Sequence, residues 1–178
     1  LGITTGLQFL PILLLSPYAG VIADRFPKRR MLQVTQASMA VTSLALGLVA
    51  VSGHSQVWMV YVLAFLFGIG AAFDGPARQS FVSEMVHRDD VTNAVGLNGA
   101  AFNVARLTGP ATAGLLIAWW GGGAQAAGWV ILLNAVSFAA IIWQLQRMDE
   151  SLLHPADRQP RSPGQLLDGV RYVRTQPT

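Results

Sequence analysis

The sequence has no cysteine and little charge. Its 178 residues include 12 Lys and Arg, 9 Asp and Glu, and 3 His. Without cysteine the chain can form neither a disulfide scaffold nor a thiolate metal site. The charged share of 12% is about half that of a typical globular domain. The apolar share of 52% is far too high for a disordered chain.

Long apolar runs account for this composition. Residues 1–23, 31–73 and 107–146 contain no Asp, Glu, Lys or Arg. A bilayer span needs about 20 apolar residues, so the runs predict an all-α polytopic membrane protein. Leu1 lies inside an apolar segment that has neither the basic flank nor the cleavage site of a signal peptide. We therefore expect both ends of the chain to be cut.

We expect five membrane spans, at about residues 1–23, 31–52, 57–73, 93–120 and 126–146. Glycines at 53 and 121–123 are expected to form turns, and Gly75-Pro76 to end or kink the third span. Every Lys and Arg except Arg106 lies after the first, the third or the fifth span. By the positive-inside rule these loops face the cytoplasm. We expect a multi-pass protein of a bacterial-type plasma or inner membrane.

Signals for catalysis or metal binding are poor. The three histidines, His54, His87 and His154, are scattered among loops, so no ligand pair has metal spacing. No nucleophile and base are paired, and we predict no enzyme, no metal and no cofactor. The basic loops flank membrane helices, so orientation and lipid contact explain them better than nucleic acid does.

The loop after the first span combines a glycine, an acid and a basic cluster: Gly20, Asp24, Arg25, Lys28 and Arg29. Asp24 can accept N–H groups of a helix start or pair with the basic cluster, and charge alone would favour a simple stop-transfer cluster. The segment resembles the cytoplasmic loop signature between the second and third helices of the major facilitator superfamily, with Pro27 in place of glycine. The resemblance implies that these residues latch the two halves of a transporter together.

The fourth span has a face of small and polar residues around Arg106. Its small residues resemble the fifth-helix signature of exporters in the same superfamily, with two alanines in place of glycines: Gly96, Ala105, Gly109, Pro110, Ala113 and Gly114. Small side chains on one face let another helix approach closely. We therefore predict a helix-packing motif there.

Arg106 is a charge inside that span. A charge near the bilayer centre costs at least roughly 2.5–3.5 kcal/mol, so Arg106 should face the bundle interior or a wet cavity. We predict that it contacts substrate or a coupling ion, and that Asn98 and Asn103 line the same cavity. The alternatives are an arginine that is paired within the bundle or snorkels to the interface, and asparagines that bond only between helices.

Asp74 and Arg78 are spaced i, i+4 around Gly75-Pro76. We expect them to pair at the cytoplasmic end of a helix, in a structural role rather than as a substrate contact. The surrounding segment resembles exporters of the siderophore and macrolide type. Proton coupling usually needs a carboxylate or histidine inside the bundle, and the five spans have none near their middles. The titrating group then lies in a missing helix, or it is Asp74.

These resemblances place the five spans as helices 2–6 of a twelve-helix transporter. Residues 1–147 are then an incomplete N-terminal bundle, and residues 148–178 begin a central cytoplasmic loop with a short amphipathic helix. The implied function is proton-coupled export of small amphipathic molecules, such as drugs or siderophores, by alternating access. The implied partners are that substrate, protons, the lipid bilayer, and helix 1 and the C-terminal half of the same chain. An importer or facilitator, and a non-transporting membrane sensor or scaffold, are the alternatives.

Overall fold

The structure is a computed structural model that describes residues 2–154, and this part of the chain is built from helices. Five are long: α1 (Gly2–Arg25), α2 (Lys28–Val51), α3 (Val57–Glu84), α4 (Val91–Trp119) and α5 (Gly123–Arg147). Short 3-10 helices occupy Arg88–Asp90 and Glu150–Leu152. The amphipathic helix expected after residue 160 lies outside the described residues.

Four of the long helices are long and apolar enough to cross a membrane: α1, α2, α3 and α5. This confirms the prediction of an all-α polytopic membrane protein. The fourth helix, α4, does not reach the same apolarity, because Arg106, three asparagines and several glycines lower its mean hydropathy. That α4 also crosses the membrane stays a prediction.

The expected turns fall where glycine is needed. Gly53 has a φ of 73° after α2, and Gly121, Gly122 and Gly123, the last of which begins α5, have φ values of 90°, 77° and 77°. Residues with a side chain rarely adopt this left-handed region. The boundaries between α2 and α3 and between α4 and α5 therefore lie close to their expected positions.

The third helix differs from its expected course. Gly75-Pro76 does not end α3, which continues for ten residues beyond Asp74 to Glu84. A proline inside a helix removes one backbone hydrogen bond, but two contacts hold the helix across it. Arg78 is paired to Asp74 one turn earlier, and Phe81 is buried beneath the next turn. The prediction that Asp74 lies at the end of the helix is therefore wrong.

The helices pack in a chain of neighbours. Helix α1 packs mainly on α3, α2 packs on both α3 and α5, and α4 rests lightly on α3 and α5 without burying any residue. The closest approach is at Gly68, where a Cβ atom would stand 2.2 Å from the carbonyl oxygen of Gln8. Gly47 and Gly128 make a similar close approach between α2 and α5.

One end of the bundle collects the α1–α2 loop, the end of α3 and the end of α5. We call it the charged end. Its interior is apolar, and five buried side chains form one cluster: Ala23, Leu32, Ala77, Phe81 and Leu145. This cluster fixes the positions of the helix ends that carry the ionic contacts described next.

Candidate functional site

The α1–α2 loop is a tight turn between two helices. Helix α1 ends at Arg25 and α2 begins at Lys28. Pro27 has a φ of −57°, the value that a proline ring favours, and its carbonyl oxygen accepts a hydrogen bond from the backbone N–H of Met31 at 3.1 Å. The turn therefore does not need the conformational freedom of the glycine that the superfamily signature has at this position.

Lys28 joins the start of α2 to the end of α3. Its Nζ atom lies 3.1 Å from Oε1 of Glu84. The two side chains are only 14% and 10% exposed, so the pair is largely removed from solvent. Glu84 was not among the residues singled out from the sequence.

Arg29 joins the same loop to the end of α5. It donates hydrogen bonds to the backbone carbonyl oxygens of Leu145 and Gln146, the latter at 2.8 Å, and to the carboxylate of Glu150. A cation is favoured at a helix C-terminus, where carbonyl groups lack partners within the helix. Arg29 therefore closes the end of α5 and its following turn onto α2.

The turn that carries Glu150 is capped by Asp149. Its carboxylate accepts hydrogen bonds from the backbone N–H and the hydroxyl of Ser151, at 2.9 and 2.8 Å. The backbone hydrogen bond from Ser151 is the main cause that lowers the pKa of Asp149, and the hydroxyl adds to it. The cap keeps Glu150 directed at Arg29.

Asp24 is not part of this ionic network. It is exposed and makes no hydrogen bond or ion pair within residues 2–154, and the same holds for Arg25 and Arg30. Of the partners that the sequence allowed for Asp24, the basic cluster is not used within the described residues, because Lys28 and Arg29 instead reach Glu84 and Glu150. Asp24 is left at the surface of the charged end.

Asp74 is the buried acid of the bundle. It is 6% exposed and accepts hydrogen bonds from three side chains. Arg78 donates from Nε at 3.1 Å and Nη2 at 2.7 Å, Thr35 donates from its hydroxyl at 3.0 Å, and Gln36 donates from Nε2 at 2.7 Å. The carboxylate thus pins α2 to α3 from inside the bundle.

Gln36 is the most deeply buried member of this cluster. It is fully buried, and its Oε1 atom has no hydrogen-bond partner. Thr35 and Gln36 were missed by the sequence reasoning. The signal that could have found them is a glutamine beside a threonine inside a predicted span, because buried polar groups in membrane helices usually bond to a neighbouring helix.

The residues predicted on α4 are not brought together with any of these groups. Arg106 and Asn103 are exposed and Asn98 is half-buried. A Cβ atom built on Gly96, Gly109 or Gly114 meets nothing within 4 Å, so no described helix lies against this face. The predicted cavity and helix-packing roles of α4 stay predictions.

Two histidines that the sequence separates by more than sixty residues meet at the charged end. The rings of His87 and His154 lie 4.4 Å apart between centroids, and the backbone N–H of His154 donates to the carbonyl oxygen of Glu84 at 2.7 Å. The expectation of scattered histidines is therefore wrong for this pair. Within residues 2–154 no group of three or more potential ligands is arranged to hold a metal.

The Lys28–Glu84 pair gives a first prediction. Replacing Lys28 with methionine keeps the apolar stem but leaves Glu84 without its cation, and we expect a loss of about 1–3 kcal/mol. The loss exceeds that of a surface pair because both side chains are largely removed from solvent. Exchanging the two charges in a double variant should restore the stability. Denaturant unfolding of the full-length protein measures both effects.

Arg25→Met is the matched control, because Arg25 lies in the same loop and has no partner among the described residues. It should leave the free energy of unfolding unchanged. If Arg25→Met costs as much as Lys28→Met, the loss comes from the net charge of the loop and not from the pair.

Comparison of the sequence with known proteins identifies the family to which this chain belongs. The sequence matches the model of a family described as transmembrane secretion effector over residues 6–178. The chain belongs to this family. It is thus a member of the major facilitator superfamily of transporters, and the predicted resemblance is confirmed. Together with its apolar helices, this makes it part of a multi-pass membrane protein.

Curated relatives are transporters. The staphyloferrin A transporter of Staphylococcus aureus is 34% identical over 119 residues, which are 66% of this chain and 30% of the relative. Macrolide efflux protein A of Streptococcus pyogenes is 28% identical over 67% of this chain and 30% of its own length. The multidrug efflux pump Tap of Mycolicibacterium fortuitum is 32% identical over 64% of this chain and 29% of its own length.

This chain thus spans about a third of the length of the relatives that it matches. No solved structure matches it.

Proposed function

We propose that this chain is the larger part of one half of a proton-coupled exporter of small amphipathic molecules, which works by alternating access. The names of the relatives support export, since two of the three are efflux proteins. In this proposal the charged end faces the cytoplasm, as the distribution of Lys and Arg predicts. The protein is not an enzyme, because its task is to move a substrate without changing it.

The observation that carries the proposal is that the charged residues of the α1–α2 loop differ in their contacts. Lys28 and Arg29 are used inside this half, where they hold the ends of α3 and α5. Asp24, in contrast, is exposed and unpaired within residues 2–154. A latch to a second half requires an acid that has no partner within this half, on a loop whose neighbouring residues are held in place.

Such a latch gives the loop a role in the transport cycle. A contact of Asp24 with the second half would stabilise the state that is closed at the charged end, and breaking it would open the cavity on that side. A contact can shift such an equilibrium only through its difference in free energy between the two states. The loop is held in place by Lys28, Arg29 and the apolar cluster. The contact of Asp24 is therefore made or lost when the whole half moves.

The proposal is tested with the full-length protein in energised inverted membrane vesicles. Uptake of a fluorescent lipophilic cation and of a ferric-siderophore-type anion is measured with and without an uncoupler. We expect wild-type uptake that the uncoupler abolishes. Asp24→Asn should reduce uptake to nearly the uncoupled level without lowering the amount of folded protein, because it removes the latch charge and no contact within this half.

Asp89→Asn is the matched control, since Asp89 is also exposed and unpaired within residues 2–154 but lies between α3 and α4. It should transport as the wild type does. Arg106→Ala tests the predicted cavity in the same assay, and loss of uptake is expected there too. Uptake that resists the uncoupler would favour a facilitator, and normal uptake by Asp24→Asn would refute the latch.

A further inference from the structure

An open groove runs along the bundle from the charged end. It lies between the end of α1, the first half of α2 and the middle of α3, with a volume of about 860 Å³. Along α2 it is lined by Arg30, Val34, Ser38 and Thr42, and on the α3 side by Leu66 and Phe73. None of the predicted site residues lines it, so it is separate from the proposed cavity around Arg106.

The walls of this groove are apolar even where hydroxyl groups occur. Ser38 donates its hydroxyl to the carbonyl oxygen of Thr35 at 2.8 Å, and Thr42 donates to that of Ser38 at 3.0 Å. Both hydroxyls are therefore used by their own helix. Val34 is 70% exposed and Val41 is 65% exposed. The groove therefore presents apolar surface, and covering that surface lowers the free energy.

A free positive charge stands at the mouth of the groove. Arg30 is exposed and has no hydrogen bond or ion pair among the described residues. Its neighbours Lys28 and Arg29 are already paired with Glu84 and Glu150. Of the two arginines of this loop that have no ion pair among the described residues, Arg25 and Arg30, it is Arg30 that lies where the apolar groove begins.

The dimensions of the groove match one leaflet of a membrane. From Arg30 to Thr42 it follows α2 for about 18 Å, at the helical rise of about 1.5 Å per residue. The hydrocarbon core of a bilayer is about 30 Å thick, so one leaflet is about 15 Å deep. The groove thus has a positive charge at the membrane interface and apolar walls about one leaflet deep. These features fit a molecule with an anionic head group and one long apolar chain lying in the groove.

We infer that the groove binds an anionic phospholipid, with its phosphate on Arg30 and one acyl chain along α2. The lipid comes from the leaflet on the side of the α1–α2 loop. The unpaired guanidinium of Arg30 favours an anionic head group. The apolar walls of the groove favour an acyl chain. The inference requires only that the bundle lies in a membrane, and it does not depend on the direction or the substrate of transport.

The test uses the full-length protein in vesicles that contain phosphatidylglycerol or phosphatidylcholine with the same photoreactive acyl chain. After illumination, labelled peptides are mapped by mass spectrometry. We expect phosphatidylglycerol to label residues 34–42 and 66–73 more than phosphatidylcholine does. Arg30→Gln should reduce this labelling about five-fold, the usual contribution of one basic side chain near an anionic surface.

Arg25→Gln is the matched control for charge, because Arg25 is equally unpaired in the described part of the chain but does not line the groove. It should label as the wild type does. A second pair tests the chain site independently of charge. Val34→Trp fills the groove and should reduce labelling, whereas Leu44→Trp, on α2 outside the groove, should not.

Three results would overturn the inference. The first is equal labelling of the groove by the two lipids. The second is unchanged labelling in both Arg30→Gln and Val34→Trp. The third is an unlabelled groove in a protein whose other lipid-facing helices are labelled, which would mean that another part of the protein covers it.

Discussion

Gly68→Ala should destabilise the protein by about 1–3 kcal/mol, the range for an overpacked interior. The new Cβ atom would stand 2.2 Å from the carbonyl oxygen of Gln8 and 3.0 Å from its carbonyl carbon. Both are backbone atoms of α1, so no side chain can rotate away to make room. Relief requires α1 and α3 to move apart along their whole contact, which is why one methyl group has so large an effect.

Denaturant unfolding of the full-length protein in detergent measures this loss, and the chain supplies a matched control. Gly75 lies on the same helix, and a Cβ atom there meets nothing within 4 Å. Gly75→Ala should therefore leave the stability unchanged or raise it slightly, since alanine favours the helix more than glycine does. Equal losses in the two variants would mean that glycine matters in α3 for helix flexibility and not for close approach.

The same comparison shows what the sequence could and could not predict about packing. The positions of the long helices followed from apolar runs and turn glycines, because each is a property of one segment. Close approach is a property of two segments. The small residues of α4 formed the more regular pattern, yet Gly96 and Gly109 face open space, while Gly68, inside an apolar run without a clear pattern, makes the tightest contact.

The ionic contacts of the charged end show the same limit. The match to the superfamily signature singled out Lys28 and Arg29 and placed them in the loop before the second span, whereas in the structure they are the first two residues of α2. The sequence suggested Asp24 as their partner because that acid is near in the chain. The structure pairs them with Glu84 and Glu150, which are distant in sequence and close in space. Only the packing of α3 and α5 on α2 brings these acids to the loop.

Asp74 was singled out from the sequence, but its surroundings differ from those expected. Gly75-Pro76 suggested a helix end, and an acid at a helix end would be solvated. Because α3 continues to Glu84, the acid lies within the bundle instead. Its burial and its two partners on α2 depend on the register of α2 against α3, about which one sequence carries no direct signal.

That buried cluster gives the second large effect. Asp74→Leu should destabilise the protein by about 1–3 kcal/mol, because it strands the amide of Gln36 in the interior without any partner. The hydroxyl of Thr35 loses less, since it also donates to the carbonyl oxygen of Leu32 at 3.1 Å. Arg78 loses little as well, because its side chain is 43% exposed and can be solvated. Most of the loss is therefore assigned to one residue.

A double-mutant cycle isolates that assignment. If the stranded amide is the cause, Gln36→Leu should recover much of the stability lost by Asp74→Leu, because replacing both partners by apolar groups is far less costly than removing one. Gln33→Leu is the matched control, since Gln33 lies on the same helix without a described bond to Asp74. Its effect should add to that of Asp74→Leu within about 0.5 kcal/mol.

Recovery by Gln33→Leu but not by Gln36→Leu would contradict the assignment. The loss would then come from the pair of Asp74 with Arg78, which holds α3 together across Pro76.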